Sequence, residues 1–214
     1  MTNFTRSAVI DRIPISKPDF DYWLNLGIVR NLPGPGGRGV PRRFGSEDVM
    51  IAGIMHELHS YGVRSELMRG VADMLYPAVE TGRAMMPLIA VDIFPHLLGA
   101  VLQRGDGITE TPSNPDTMPG IDEALAHISP DSSLVIAEAL NTYHLLFNPQ
   151  YLDTRPPYVV MEFTPGAESF DVNIRDETDP SMLLDPDVTS CIAVSLTKIA
   201  RRLWLPDDAA HQQS

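Results

Sequence analysis

Lys17 to Val49, KPDFDYWLNLGIVRNLPGPGGRGVPRRFGSEDV, decides how this chain is read, because it predicts a helix, a glycine-rich loop and the start of another helix in succession. No acidic residue lies between Asp21 and Glu47, while Arg30, Arg38, Arg42 and Arg43 all do. The chain as a whole has a formal net charge of −12. A local cationic window in an acidic protein points to an anionic partner.

Ser16 caps the predicted helix, and Lys17, Pro18 and Asp19 occupy its first turn, where proline and an acid both suit the free N–H groups. Phe20, Trp23, Leu24 and Gly27 form its inward face. Upstream, Thr5 to Ile13 carries Ala8, Val9 and Ile13 at helical spacing with Thr5 as cap, and Pro14 ends it. Two short helices joined by Pro14 and Ile15 have the proportions of a helix-turn-helix. Downstream, Asn31 to Gly39 holds two prolines and four glycines in nine residues and predicts a loop or hairpin tip. Gly34, Gly36 and Gly39 spell G-x-G-x-x-G, but a dinucleotide site needs a strand before the motif and a helix starting on its last glycine. Here a helix end precedes it and Pro41 follows.

Ser46 is the expected cap of a third helix, with Glu47 and Asp48 in its first turn and Ile51, Ile54, Met55, Leu58 and Tyr61 as its apolar stripe. Gly62 stops it. A fourth helix is expected from about Ser65, burying Leu67, Met68, Val71, Met74 and Leu75, and ending at Pro77.

Residues 8 to 75 resemble the DNA-binding domain of the MerR family of bacterial transcription regulators, over about a third of the chain. Tyr22 and Trp23 match that family's aromatic pair, and Gly27, Ile28 and Val29 its Gly-Leu-Ile. Gly39, Arg42, Phe44, Asp48 and Val49 match the wing and the helix after it, and Gly62, Val63 and Leu67 to Leu75 match the glycine and short helix that follow. No gap is needed between Val9 and Val29. The resemblance implies that Arg42 and Arg43 lie at the base of a wing and contact phosphates, while Lys17 and Tyr22 approach the major groove. With Arg30 and Arg38 these are the candidate DNA-binding residues. Two departures stand out. Asp21 occupies the position before the aromatic pair where many members carry arginine, with Asp19 one turn earlier. Pro77, Gly82, Pro87 and Pro95 interrupt the region where the family has a long dimerisation helix.

Charge suggests a boundary after the fourth helix. Met1 to Met74 carries nine basic and eight acidic residues, the remainder seven and twenty. The expected organisation is a mainly α N-terminal winged helix-turn-helix domain, residues 1–76, plus an α+β C-terminal domain, residues 77–214, for dimerisation or effector binding. In the latter, Ala84 to Gln103 reads as broken helix, Gly105 to Gly120 as a polar linker, Ile121 to Ile128 as a short helix and Ser132 to Phe147 as helix. Tyr158 to Phe163 and Phe170 to Ile174 alternate as strands paired through Pro165 and Gly166. Val188 to Leu196 is a third strand, and Thr197 is placed to cap a closing helix, Lys198 to Leu203.

Little in the chain suggests chemistry. His56 and His59 fall one residue short of H-E-x-x-H and read as a solvated pair, so no metal site is expected. Asp171, Asp176, Glu177, Asp179, Asp185 and Asp187 lack the spacing of a calcium loop. Cys191, the single cysteine, reads as strand core and excludes an intramolecular disulfide, which fits a reducing, cytoplasmic setting. No G-x-S-x-G or triad ordering occurs. The N-terminus lacks the pattern of a secretory signal, and the apolar run Ala84 to Leu102 contains Asp92, His96 and two prolines, which argues for core over a membrane span. The expectation is a homodimeric transcription regulator that binds double-stranded DNA, with a C-terminal module that dimerises, senses an effector or contacts transcription machinery, and without enzyme activity or cofactor. The alternatives are a protein-binding adaptor using the same fold without DNA contact, and an excisionase-like architectural DNA-binding protein.

Overall fold

Local capping signals start the fold. A computed structural model describes residues 3–34, 41–85, 133–147, 157–163, 170–176 and 190–204. Thr5 is extended, and its hydroxyl accepts from the Ala8 N–H at 3.2 Å to begin α1 (Arg6–Arg12). The Ser16 hydroxyl accepts from the Asp19 N–H at 3.2 Å to begin α2 (Lys17–Leu26), with proline in its first turn. Gly27, at φ 73°, ends α2 in the left-handed conformation that glycine adopts without steric cost, and the Ile28 N–H turns back to the Trp23 carbonyl. Phe20 and Trp23 are buried as expected, whereas Leu24 is only half-buried.

Strand β1 (Phe4–Thr5) pairs antiparallel with β2 (Arg43–Phe44), Phe4 opposite Phe44 and Thr5 opposite Arg43. Helix α3 (Ser46–Ser60) follows β2, and its cap is Gly45 rather than Ser46. The Gly45 N–H donates to the Asp48 carboxylate at 2.7 Å, so an acid in the first turn closes the helix start in place of a hydroxyl. Ser46 turns to Glu47 instead. Both acids are buried, as are the residues from Val49 to Met55, which makes α3 a central helix apolar nearly all round. Tyr61 stands outside the stripe and is 61% exposed.

Gly62, at φ 80°, ends that segment and α4 (Ser65–Met85) follows, running through Pro77 instead of stopping there. Pro77 and Asp73 both face solvent, so the missing backbone hydrogen bond lies on the wet side. Tyr76, Ala78 and Val79 meanwhile carry the buried face past it. The inward residues are Met68, Val71, Ala72, Leu75, Tyr76 and Val79, while Met74 is 50% exposed and Leu67 half-buried.

The chain divides into two compact units, Met1–Met74 with Pro149–Ser214, and Leu75–Asn148. In the second unit the Tyr143 ring of α5 (Ser133–Phe147) lies against Gly82, where a Cβ atom would collide with the ring. The expected linker and short helix, residues 105–128, and nearly all of the expected broken helix from Ala84 lie outside the described residues, as does the expected turn at Pro165 and Gly166.

The first unit is completed by an antiparallel sheet in the order β4-β3-β5, formed by β3 (Pro157–Phe163), β4 (Phe170–Asp176) and β5 (Ser190–Ser195). Val159 lies opposite both Ile174 and Val194, and Val159, Met161, Val172 and Val194 are buried. Helix α6 (Leu196–Trp204) follows β5 directly. Its start is two residues earlier than expected, and the Ser195 hydroxyl, rather than Thr197, receives the Lys198 N–H at 3.5 Å. Leu196, Ile199, Ala200 and Leu203 form its buried stripe. Gly53 supplies the notch for it on α3: a Cβ there would lie 2.6 Å from Ile199 and 3.2 Å from Leu203. The described protein is thus mostly helical with a small antiparallel sheet.

Candidate nucleic-acid interface

Phe20 and Trp23 fix the rotation of α2. The Phe20 ring meets Phe44 at 5.6 Å and Trp23 meets the His59 ring of α3 edge-on at 5.7 Å, so α2 is held on both sides by aromatic contacts. With that face inward, Lys17 in the first turn and Tyr22, 51% exposed, are left to solvent. The acids on the same helix are engaged within the protein. Asp21 forms an ion pair with Arg6 of α1, and Asp19 accepts from the Ser16 hydroxyl while its own N–H completes the cap.

Arg42 and Arg43, at the entry to and on β2, are exposed, and among the described residues neither forms an ion pair. Pairing with Glu47 or Asp48 would have been their structural role, but both acids are buried in α3 and Asp48 is held by the Gly45 N–H. Arg42 shares an open depression of about 640 Å³ with Thr5, Arg6, Asp21 and Asn25, so the start of α1, the outer side of α2 and the approach to β2 face one concavity. Within it the Arg6–Asp21 pair is electrically neutral, and Arg42 supplies the remaining positive charge.

Arg30 is placed differently. Its guanidinium donates to Asp73 of α4 at 2.7 Å, tying the segment after α2 to the fourth helix, and it does not line the depression. Arg38 lies outside the described residues. The structure therefore gathers Arg42 with the outer side of α2 and sets Arg30 apart. Arg6 gives no sign of its role in the sequence, because its partnership with Asp21 spans fifteen residues and two helices, with no local signal.

Elsewhere, Cys191 is exposed on β5 rather than in the core, since its side chain falls on the face opposite Ile192 and Val194. Among the described residues no group of three or more His, Cys, Asp or Glu side chains is placed to hold a metal ion. His56 titrates below its ordinary value of 6.5, chiefly because it is partly buried, with the neighbouring Arg202 cation adding to the effect and Glu57 opposing it. The sequence matches no known family model and no curated protein.

Proposed function

We propose that this protein is a sequence-specific, double-stranded DNA-binding transcription regulator of the MerR-like, winged helix-turn-helix kind, acting in the cytoplasm as a homodimer. In this reading α1 and α2 form the helix-turn-helix, and β1 and β2 belong to the wing. The observation that carries it is the contrast within the α2 surroundings. Asp19 and Asp21 have partners within the fold, while Arg42 and Arg43 are exposed and, among the described residues, form no ion pair, beside an α2 that presents Lys17 and Tyr22. Lys17 and Tyr22 then face the major groove, and the two arginines hold phosphates.

The test is the salt dependence of duplex binding. Releasing one phosphate lowers the slope of log affinity against log salt by about 0.9, so Arg42→Ala with Arg43→Ala flattens it by up to about 2 and weakens specific and non-specific binding alike. Tyr22→Ala instead changes sequence preference and leaves the slope nearly intact. A double arginine variant with an unchanged slope counts against DNA binding. Light scattering checks the dimer, which binds half-sites about one or two helical turns apart.

A protein-binding reading rests on a different surface. Tyr61, Val63, Leu67 and Ile192 line an open depression of about 500 Å³, bordered by Arg64 and Glu66. In the regulator this surface suits contact with transcription machinery, and in an adaptor it would be the principal site. Absence of salt-dependent retention on duplex DNA would favour the adaptor.

A further inference from the structure

After Met74 the sequence has only seven basic residues, and three of them, Lys198, Arg201 and Arg202, fall in α6, which contains no acid. Their settings differ. Arg202 pairs with Glu57 of α3 and so helps to dock the helix. Lys198 and Arg201 are exposed and, among the described residues, form no ion pair.

Lys198, Arg201 and Trp204 are spaced three apart, so they follow one another along one side of the helix at about 4.5 Å of rise each. The row ends at β1. The Trp204 ring lies 5.5 Å from the Phe4 ring, and the Arg12 guanidinium of α1 sits 4.9 Å over the same Phe4 ring. Phe4 belongs to the strand that pairs with β2, which carries Arg43 opposite Thr5. The α6 row therefore adjoins the ribbon that bears the proposed phosphate-binding arginines.

We infer that Lys198 and Arg201 form a second contact to the phosphate backbone of duplex DNA, made by the C-terminal helix of the same unit, beside the contact made from β2. The inference rests on the DNA-binding reading above. It identifies a binding element at the far end of the sequence from the helix-turn-helix. A lipid surface is the other anionic partner that a cationic helix with a terminal tryptophan can meet. That mode requires an apolar face free to enter the bilayer interface. In α6 the apolar face is already buried, with Ile199 and Leu203 against Gly53. Trp204, 38% exposed, is seated against Phe4, so Lys198 and Arg201 supply most of what α6 leaves to a partner, as phosphate contacts require.

The experiment measures duplex affinity against salt for the full-length protein, for Lys198→Gln with Arg201→Gln, and for Arg42→Ala with Arg43→Ala, together with the melting temperature of each. The α6 variant is expected to keep its melting temperature and to flatten the slope by about 1 to 2, in proportion to the phosphates released. Exchange of the two cations, Lys198→Arg with Arg201→Lys, is expected to keep the wild-type slope. If the β2 variant flattens the slope and the α6 variant does not, the inference is overturned and the DNA-binding reading stands. If the wild-type protein shows no salt-dependent duplex binding, both fall together. A flattened slope in the charge-preserving exchange would assign the helix a packing role and overturn the ionic contact. Retention of wild-type duplex binding by the α6 variant, with loss of binding to phosphatidylserine vesicles, would assign the row to a membrane surface and also overturn it.

Discussion

Helices α2 and α6 lie near opposite ends of the chain and share one construction. Each sets an apolar stripe against the first unit's core and meets α3, α2 through Trp23 on His59 and α6 through Ile199 and Leu203 at Gly53. Their outer faces differ in which charges have partners. On α2 the acids are engaged, by Arg6 and by Ser16, and a lysine and a tyrosine remain exposed. On α6 one arginine is engaged by Glu57 and two cations remain. Formal charge along a sequence is therefore a poor guide to surface potential. The useful quantity is the charge left after internal pairing, which depends on contacts between distant residues.

Both helices depend on docking onto α3, and disrupting that docking should have the largest effect. Trp23→Ala should cost about 3 to 5 kcal/mol, because a nearly fully buried indole is removed from the aromatic contacts that hold α2. Urea unfolding measures it, and a loss below about 1 kcal/mol would mean that α2 is not anchored there. Gly53→Ala tests the other side. Overpacking against Ile199 costs about 1 to 3 kcal/mol, offset by up to about 1 kcal/mol from alanine's higher helix propensity, so a net loss of about 1 kcal/mol is expected. Ile199→Ala in the same chain should recover much of the strain, and strictly additive losses would show that the two side chains do not meet.

A smaller effect concerns pH. The folded value of His56 lies below 6.5, so the unfolded chain takes up its proton first. The resulting contribution to stability is present above pH 6.5 and is lost as the pH falls through the lower folded value. Melting temperature should decline less steeply between pH 7 and 5 in His56→Gln than in the wild type, and parallel profiles would remove His56 from the acid sensitivity of the α3–α6 contact. The smallest stability effect belongs to the Arg6–Asp21 pair, whose side chains are 33% and 42% exposed, so Arg6→Ala should cost less than about 1 kcal/mol. On duplex affinity the two partners should act oppositely: Arg6→Ala frees a carboxylate and weakens binding, whereas Asp21→Asn strengthens it or leaves it unchanged. Equal losses from both would give Asp21 a direct role in binding DNA, since a carboxylate can accept from a cytosine amino group.

What can be read from the sequence divides along the same line. The start of α2, its proline and its terminal Gly27 are legible because the signals are local, a hydroxyl reaching three residues along or a backbone that only glycine adopts cheaply. The alternation of β3 and β4 is legible for the same reason. Ser46 looks like a cap in the sequence because it carries a hydroxyl, but the Asp48 carboxylate competes for the same turn and takes the Gly45 N–H. Pro77 suggests a helix end because sequence does not reveal that its missing hydrogen bond lies on the solvent side, beside an uninterrupted buried face. In the candidate site, the exposure of Lys17 and Tyr22 follows from helical spacing. The partners of Arg6 and Arg30 do not, since each is joined to an acid on a helix distant in sequence. The docking of α6 at Gly53 is likewise long-range. A glycine within a helix gives no indication of what fills the space beside it.

The return of α6 to α3 also sets a schedule for synthesis. Glu57 and Arg202 are separated by 145 residues, so the notch at Gly53 stays without its partner while the intervening chain is made. At about 5 to 20 residues per second that interval is roughly 7 to 30 s. During it the growing chain exposes an apolar strip that the finished protein covers, which is the kind of surface that chaperones bind. A ribosome stalled shortly before residue 196 should therefore carry a nascent chain more sensitive to protease in α3 than the released protein.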